Sequence, residues 1–226
     1  MHAFSSITFC TYPHFLSKTH FLRYIAISVK ISLVIYDKFA IGYDKALAPF
    51  ERWFLRSWRR QTLSKLPENA RILEIGAGTG LNFPFYPKSE TAVASEISIE
   101  MIDIAQEKSN GITILQADAE HLPFEDNYFD AAFATLVFCS IADPHQAFSE
   151  LRRVLKTDGR LILLEHVRPN GVLGYVFDVL NLFTVALIDD HFNRETADIA
   201  GKSGFKVTSL TRKALGAVNL IVCDLN

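Results

Sequence analysis

Cysteine is scarce and dispersed. Cys10, Cys139 and Cys223 are the three in 226 residues, and no two form a C-x-x-C pair. That leaves no disulfide framework and no cysteine-based zinc site, and it fits a reducing compartment. Charge of one sign is not in excess either. The formal net charge is −2, so nothing global pulls the chain towards nucleic acid. A clean apolar run of the ~20 residues that a spanning helix needs is also missing, because the stretch from Phe21 to Tyr36 is broken by Arg23 and Lys30. The order of charge, apolar block and small-residue cleavage site of a secretory leader is missing too. Residues 1–33 therefore read as a peripheral or non-essential apolar extension. They are an interfacial segment, a helix packed on the domain, or translated leader ahead of the working start. Residues 34–226 read as one domain, long enough for a full core. There is no internal repeat.

What is there centres on Arg71-Ile72-Leu73-Glu74-Ile75-Gly76-Ala77-Gly78-Thr79-Gly80. A short apolar run meets a turn of small residues, where glycine lets the backbone bend sharply and a ligand come close. A strand that ends in such a turn and feeds a helix binds nucleotides in doubly wound α/β folds. The spacing is G-x-G-x-G, whereas a dinucleotide pyrophosphate site has G-x-G-x-x-G. Glu74, two residues before the first glycine, suits a ligand carrying an ammonium group, or holds the loop through backbone N–H groups. Glu96 follows twenty residues after Gly76, past the run Thr91–Ser95. That is the distance at which an acid meets a ribose hydroxyl. A third run, Ile112–Gln116, ends in Ala117-Asp118-Ala119-Glu120-His121-Leu122-Pro123-Phe124. An acid there accepts from the exocyclic amine of adenine, and a small residue lets the ring lie flat.

Together, E-x-G-x-G-x-G, an acid-tipped second strand and D-A-E-x-L-P-F resemble class I S-adenosylmethionine (SAM)-dependent methyltransferases. The subgroup resembled includes ubiquinone/menaquinone C-methyltransferases, phosphatidylethanolamine N-methyltransferases and membrane-associated thiol methyltransferases. The likeness runs from about Val34 to Asp224. It implies an α/β, Rossmann-like fold: a seven-stranded, mostly parallel sheet with one antiparallel strand and helices on both faces. It implies SAM as cofactor, no metal, and donor contacts at Tyr36, Glu74, Gly76, Ala77, Gly78, Thr79, Gly80, Glu96, Ile97, Met101, Asp118, Ala119, Glu120, Thr135 and Leu136. The N-P-P-[YF] or D-P-P-[YF] motif of base methylators is absent after Thr135, which argues against a nucleic-acid base as substrate.

Local signals order the rest. A helix is expected from Pro49 to Leu66, with Phe50, Phe54 and Trp58 at helical spacing beside Arg52, Arg56, Arg59, Arg60 and Lys65. Ahead of it, Tyr36-Asp37 and Tyr43-Asp44 form either a lid or an aromatic clamp. Ser98 caps one helix, and Asp143-Pro144 opens another in which Arg152-Arg153 face solvent. Asp158-Gly159 turns into a strand over 160–165. His166, just past it, is the candidate general base. Residues 171–188 form an apolar helix with one narrow polar stripe, and 205–211 with 217–224 a closing hairpin. The wide apolar surface and the basic aromatic helix point to a lipid or other apolar acceptor, with phosphatidylethanolamine first, and to a cytoplasmic protein with possible membrane contact. A quinone-precursor C-methyltransferase and a thiol methyltransferase are the near alternatives. A nicotinamide-dependent oxidoreductase and an inactive SAM-binding module are the distant ones.

Overall fold

In a computed structural model, the described residues are 31–169, 171–172, 174–175, 177–179, 181, 191 and 193–225. Helix α1 (Ile31–Phe50) runs through a π-helical turn (Glu51–Leu55) into α2 (Arg56–Leu63). The sheet strands are β1 (Arg71–Ile75), β2 (Thr91–Glu96), β3 (Thr113–Gln116), β4 (Phe129–Thr135), β5 (Leu155–His166), β6 (Phe205–Lys213) and β7 (Val218–Leu225). Helices α3 (Ile99–Gln106), α4 (Pro144–Val154) and α5 (Thr196–Lys202) connect them. The strand order is β3-β2-β1-β4-β5-β7-β6. All neighbours are parallel except β7, which runs antiparallel to both β5 and β6. This is the Rossmann-like sheet that the strand signals imply.

Period-2 alternation divides the core between the two faces. Leu73, Ile75, Leu161, Leu163, Ile221 and Cys223 pack on one side with Phe148 and Leu151 of α4. Ile72, Phe133, Ile162, Leu164, Leu220 and Val222 pack on the other with Leu63 of α2. β4 is central and apolar on both faces, with Ala131, Ala132, Phe133 and Ala134 all fully buried. Ser98 and Asp143 cap α3 and α4, accepting from the N–H groups of Met101 at 3.2 Å and Gln146 at 3.0 Å.

Three expectations need correction. The chain expected to turn helical at Pro49 is already helical at Ile31. Pro49 lies inside α1, and the wider π turn follows directly. Proline removes one helical hydrogen bond and crowds the carbonyl four residues back, and the helix absorbs this as a bulge rather than ending. Arg153 does not face solvent: it donates to the Leu122 and Phe124 carbonyls at 2.8 and 2.7 Å and pairs with Glu150 and Asp126. The Asp158-Gly159 turn is an irregularity within β5, whose pairing jumps from Phe129–Leu155 to Ala131–Arg160. Of the helix expected over 171–188, residues 172, 174–175, 177–179 and 181 are helical, and most of the remainder lies outside the described residues. Among the described residues, no helix is long and apolar enough to cross a membrane.

Candidate active site

The carboxyl ends of β1, β2 and β3 are stitched to one another. The Gly78 N–H donates to Glu96 Oε2 at 2.8 Å, and Glu96 Oε1 accepts from Ile97 and Ser98 at 2.8 and 3.0 Å. Backbone bonds Ala77 N–Ser95 O and Ala117 N–Glu96 O, 3.0 and 2.9 Å, close the row. Above the row lies a cavity of about 1,200 Å³. Its wall includes Gly76, Ala77, Gly78, Thr79, Glu96, Ile97, Met101, Asp118, Ala119, Glu120, Thr135, Leu136 and His166. The three strand tips singled out in the sequence thus face one space.

The glycines differ in their reasons. At Gly76 (φ +63°) a Cβ would lie 2.6 Å from the Val137 methyls, so the backbone there is packed against the loop after β4. At Gly78 (φ +56°) a Cβ would meet nothing within 4 Å and would occupy the cavity itself. Gly80 is not on the wall and packs against Phe83. Leu136 holds φ +60° in the wall, a costly conformation for a side chain of its kind and one that clusters at functional sites.

Asp118 has one satisfied oxygen, Oδ1, which accepts from Glu120 N at 2.9 Å. Oδ2 is buried without a hydrogen-bond partner, and His121 Nδ1 stands 3.7 Å away. A buried carboxylate oxygen without a donor is a cost that a ligand N–H removes. The loop bearing it is held from α4: Arg153 grips the Leu122 and Phe124 carbonyls, and Glu150 accepts from Leu122 N at 2.8 Å.

Glu74 is a correction. It is absent from the cavity wall and fully buried on the α2 face, as alternation along β1 from Ile72 requires. It accepts from Asn82 Nδ2 and Tyr86 Oη, both at 2.5 Å, and from no backbone N–H among the described residues. Burial raises its carboxyl to about 7, although Tyr86, Asn82 and Arg59 all act to lower it. Tyr36 is a residue of α1 whose side chain lies outside the described residues. In the second Tyr-Asp pair, Tyr43 is on the wall and Asp44 accepts from Thr79 Oγ1 and Lys108 Nζ at 2.5 and 2.6 Å. These bonds fasten α1 over the glycine loop.

Sequence reasoning missed Arg59, which it read as part of a basic surface. Arg59 is 4% exposed. It lines the cavity while binding Glu51 at 3.2 Å, Asn82 Oδ1 at 3.1 Å and Thr135 Oγ1 at 2.7 Å. The one signal was its spacing of four from Leu55 and from Leu63, both buried on the inner face. Glu165, expected with His166 at the strand tip by the acceptor pocket, instead supports the neighbouring loop. Fully buried, it accepts from Val137 and Phe138 N–H groups and so anchors the loop after β4. His166 is on the wall beside Ala217 and Val218, and burial lowers its pKa from the usual 6.5, against a hydrogen bond to the Ala217 backbone. Cys139 is on the wall as well.

A parallel α/β sheet with an antiparallel seventh strand, a glycine turn and acids on two neighbouring strand tips defines a class I SAM-dependent methyltransferase. SAM is the cofactor, and the unpartnered Asp118 oxygen and the open space at Gly78 fit its adenosine. Comparison with known proteins agrees. A family described as "Methyltransferase domain" matches residues 73–163. The chain is 32% identical over 175 residues, 69% of its length and 68% of the relative's, to the ubiquinone/menaquinone biosynthesis C-methyltransferase UbiE of Pseudomonas paraeruginosa. It is 29% identical over 186 residues, 75% of each chain, to the UbiE of Hahella chejuensis. A Thermotoga maritima SAM-dependent methyltransferase, described as a possible histamine N-methyltransferase, superposes with a TM-score of 0.69 at 26% identity, covering 85% of this chain and 99% of that one. The chain belongs to the class I SAM-dependent methyltransferase family.

Proposed function

We propose that this enzyme methylates an apolar acceptor bound over β4, β5 and β7, next to a donor bound over β3, β2 and β1. The observation that carries this is the single cavity spanning both halves of the sheet. Asp118 follows β3 and His166 ends β5, four strand spacings apart in the order β3-β2-β1-β4-β5, or roughly 19 Å at ~4.8 Å per strand. The volume of about 1,200 Å³ exceeds the ~300–1,000 Å³ of ordinary small-molecule pockets. The acceptor half is walled by Phe50, Phe54, Phe177, Ala214 and Val218.

When bound, SAM supplies a methyl group activated by a positively charged sulfur. Asp118 would accept from the adenine amine, Glu96 would accept from the sugar hydroxyls, and Arg59 would pair with the methionine carboxylate. Alignment of nucleophile and methyl carbon is the protein's main task, and such positioning contributes on the order of 7–11 kcal/mol. His166, held neutral near pH 7 by burial, takes the acceptor's proton. As a phenol loses that proton, its ring carbon becomes the nucleophile. The names of the UbiE relatives support such a ring-carbon acceptor, a quinone precursor with an apolar tail. Phosphatidylethanolamine, the first choice from the sequence, and a thiol have only the apolar wall in their favour.

The test is mass analysis of products formed from labelled SAM with a demethylated quinol, phosphatidylethanolamine vesicles and an apolar thiol. A methylated quinol supports the reading, and turnover of none of the three removes it. Asp118→Ala is expected to weaken SAM binding by about tenfold to a hundredfold, the worth of a hydrogen bond to a charged group, as read by calorimetry. His166→Gln is expected to leave that affinity unchanged and lower kcat. In the wild type, activity falls on the acid side with a midpoint below 6.5, where His166 becomes protonated.

A further inference from the structure

Three elements that wall the acceptor half of the cavity also carry large apolar side chains in solvent. The turn from α1 into the π segment exposes Phe50, Trp53 and Phe54 at 63%, 72% and 53%. Phe50 and Phe54 also line the cavity, so the wall there reaches the surface. The turn between β6 and β7 exposes Leu215 at 90%. Leu215 and Ala214 both have positive φ, 56° and 47°, so backbone strain is maintained at the site that holds an apolar side chain out in water. The helical residues after β5 expose Val172, Tyr175 and Val179, spaced i, i+3 and i+7 along one stripe.

These elements are neighbours. Lys213 Nζ donates to Gln61 Oε1 at 2.6 Å and lies over the Trp58 ring, joining the hairpin turn to α2. Gly216 faces Pro169 at the start of the third element. The exposed charge of the first two elements is positive, and on the third Asp178 is paired with Arg168. Arg52, Arg56, Arg60 and Arg212 are exposed, and Glu51, the acid among the first three, is bound by Arg59.

We propose that this rim is a docking surface for an anionic phospholipid bilayer. Trp53, Leu215 and the 172–175–179 stripe insert among the headgroups, and the arginines meet the lipid phosphates. Exposed aromatic and aliphatic side chains ringed by Arg and Lys are the recognised combination for interfacial binding, since either contribution alone is weak. A large apolar patch ringed by cations has no charge match to a neutral or basic protein partner. Docking also sets the mouth of the cavity against the phase in which an apolar acceptor is dissolved. The inference does not depend on which acceptor is methylated.

The test uses the full chain and flotation with phosphatidylcholine vesicles, with and without phosphatidylglycerol. Binding is expected with the anionic vesicles and is expected to fall with added salt. Trp53→Ser/Leu215→Ser and Arg52→Glu/Arg212→Glu are each expected to weaken it by about tenfold or more. Calorimetric SAM affinity and the circular dichroism melt are expected to stay at wild-type values. Acyl-brominated lipid is expected to quench tryptophan emission in the wild type and not in Trp53→Phe. Full binding retained by both double variants would assign membrane contact to another part of the chain and overturn the proposal. So would absence of binding to the anionic vesicles, and a dimer that the variants dissociate would then give the surface to a second copy of the chain.

Discussion

Glu74 lies behind the cavity wall, in a buried group with Asn82, Tyr86, Arg59 and Thr135, the last two of which line the cavity. Its proton is linked to folding. The folded carboxyl titrates near 7 and the unfolded one near ~4.3. Below the lower value both states hold the proton, and the stabilisation is fully present. Between the two the folded state holds a proton that the unfolded state has lost, so stability falls as pH rises. From ~1.36 kcal/mol per unit, the loss through this window is about 4 kcal/mol. Denaturant titrations of the wild type between pH 5 and pH 8 are expected to show that decline. Glu74→Gln, which keeps an acceptor for Asn82 or Tyr86, is expected to flatten it. An equal slope in the variant would move the titration to another group.

At the scale of elements, α4 is the support beneath the adenosine half of the site. Its outer end carries Arg153 and Glu150, which between them satisfy two carbonyls and one N–H of the loop after Asp118. Arg153→Met keeps the aliphatic stem and removes the donors, leaving the Leu122 and Phe124 carbonyls without their bonds. A loss of about 2–3 kcal/mol of stability is expected, measured by urea unfolding. SAM affinity is expected to weaken even though the residue never touches the cavity. The long N-terminal helix acts similarly from above. Its π turn follows Pro49, and beyond it Leu55 and Arg59 point inward, while Asp44 pins the helix to Thr79.

For the whole molecule, one cavity joins elements from residue 42 to residue 218, so occupancy of the donor half is linked to global stability. A ligand at a hundred times its Kd contributes about 2.7 kcal/mol, worth roughly 5–10 °C in Tm for a domain of this size. SAM is expected to produce that shift in a thermal melt, and NAD none, because the third glycine comes one residue too early for a pyrophosphate. The strand signals, the caps at Ser98 and Asp143, and the acids at 96 and 118 were legible in the chain because each is a local pattern: alternation, a capping side chain, a residue at a strand end. Which way Glu74 points, that Arg59 is buried, that Arg153 holds a loop, and that Gly76 and Gly78 serve different ends were not legible. Each depends on what a distant segment brings alongside, and burial converts the same side chain from a solvated charge into a structural or binding group. The chain alone determined the sheet, the cofactor class and two acids that line the cavity. Only the packing of α1 and α2 across the strand tips decided where the charges of the site lie, and which apolar residues were left facing water.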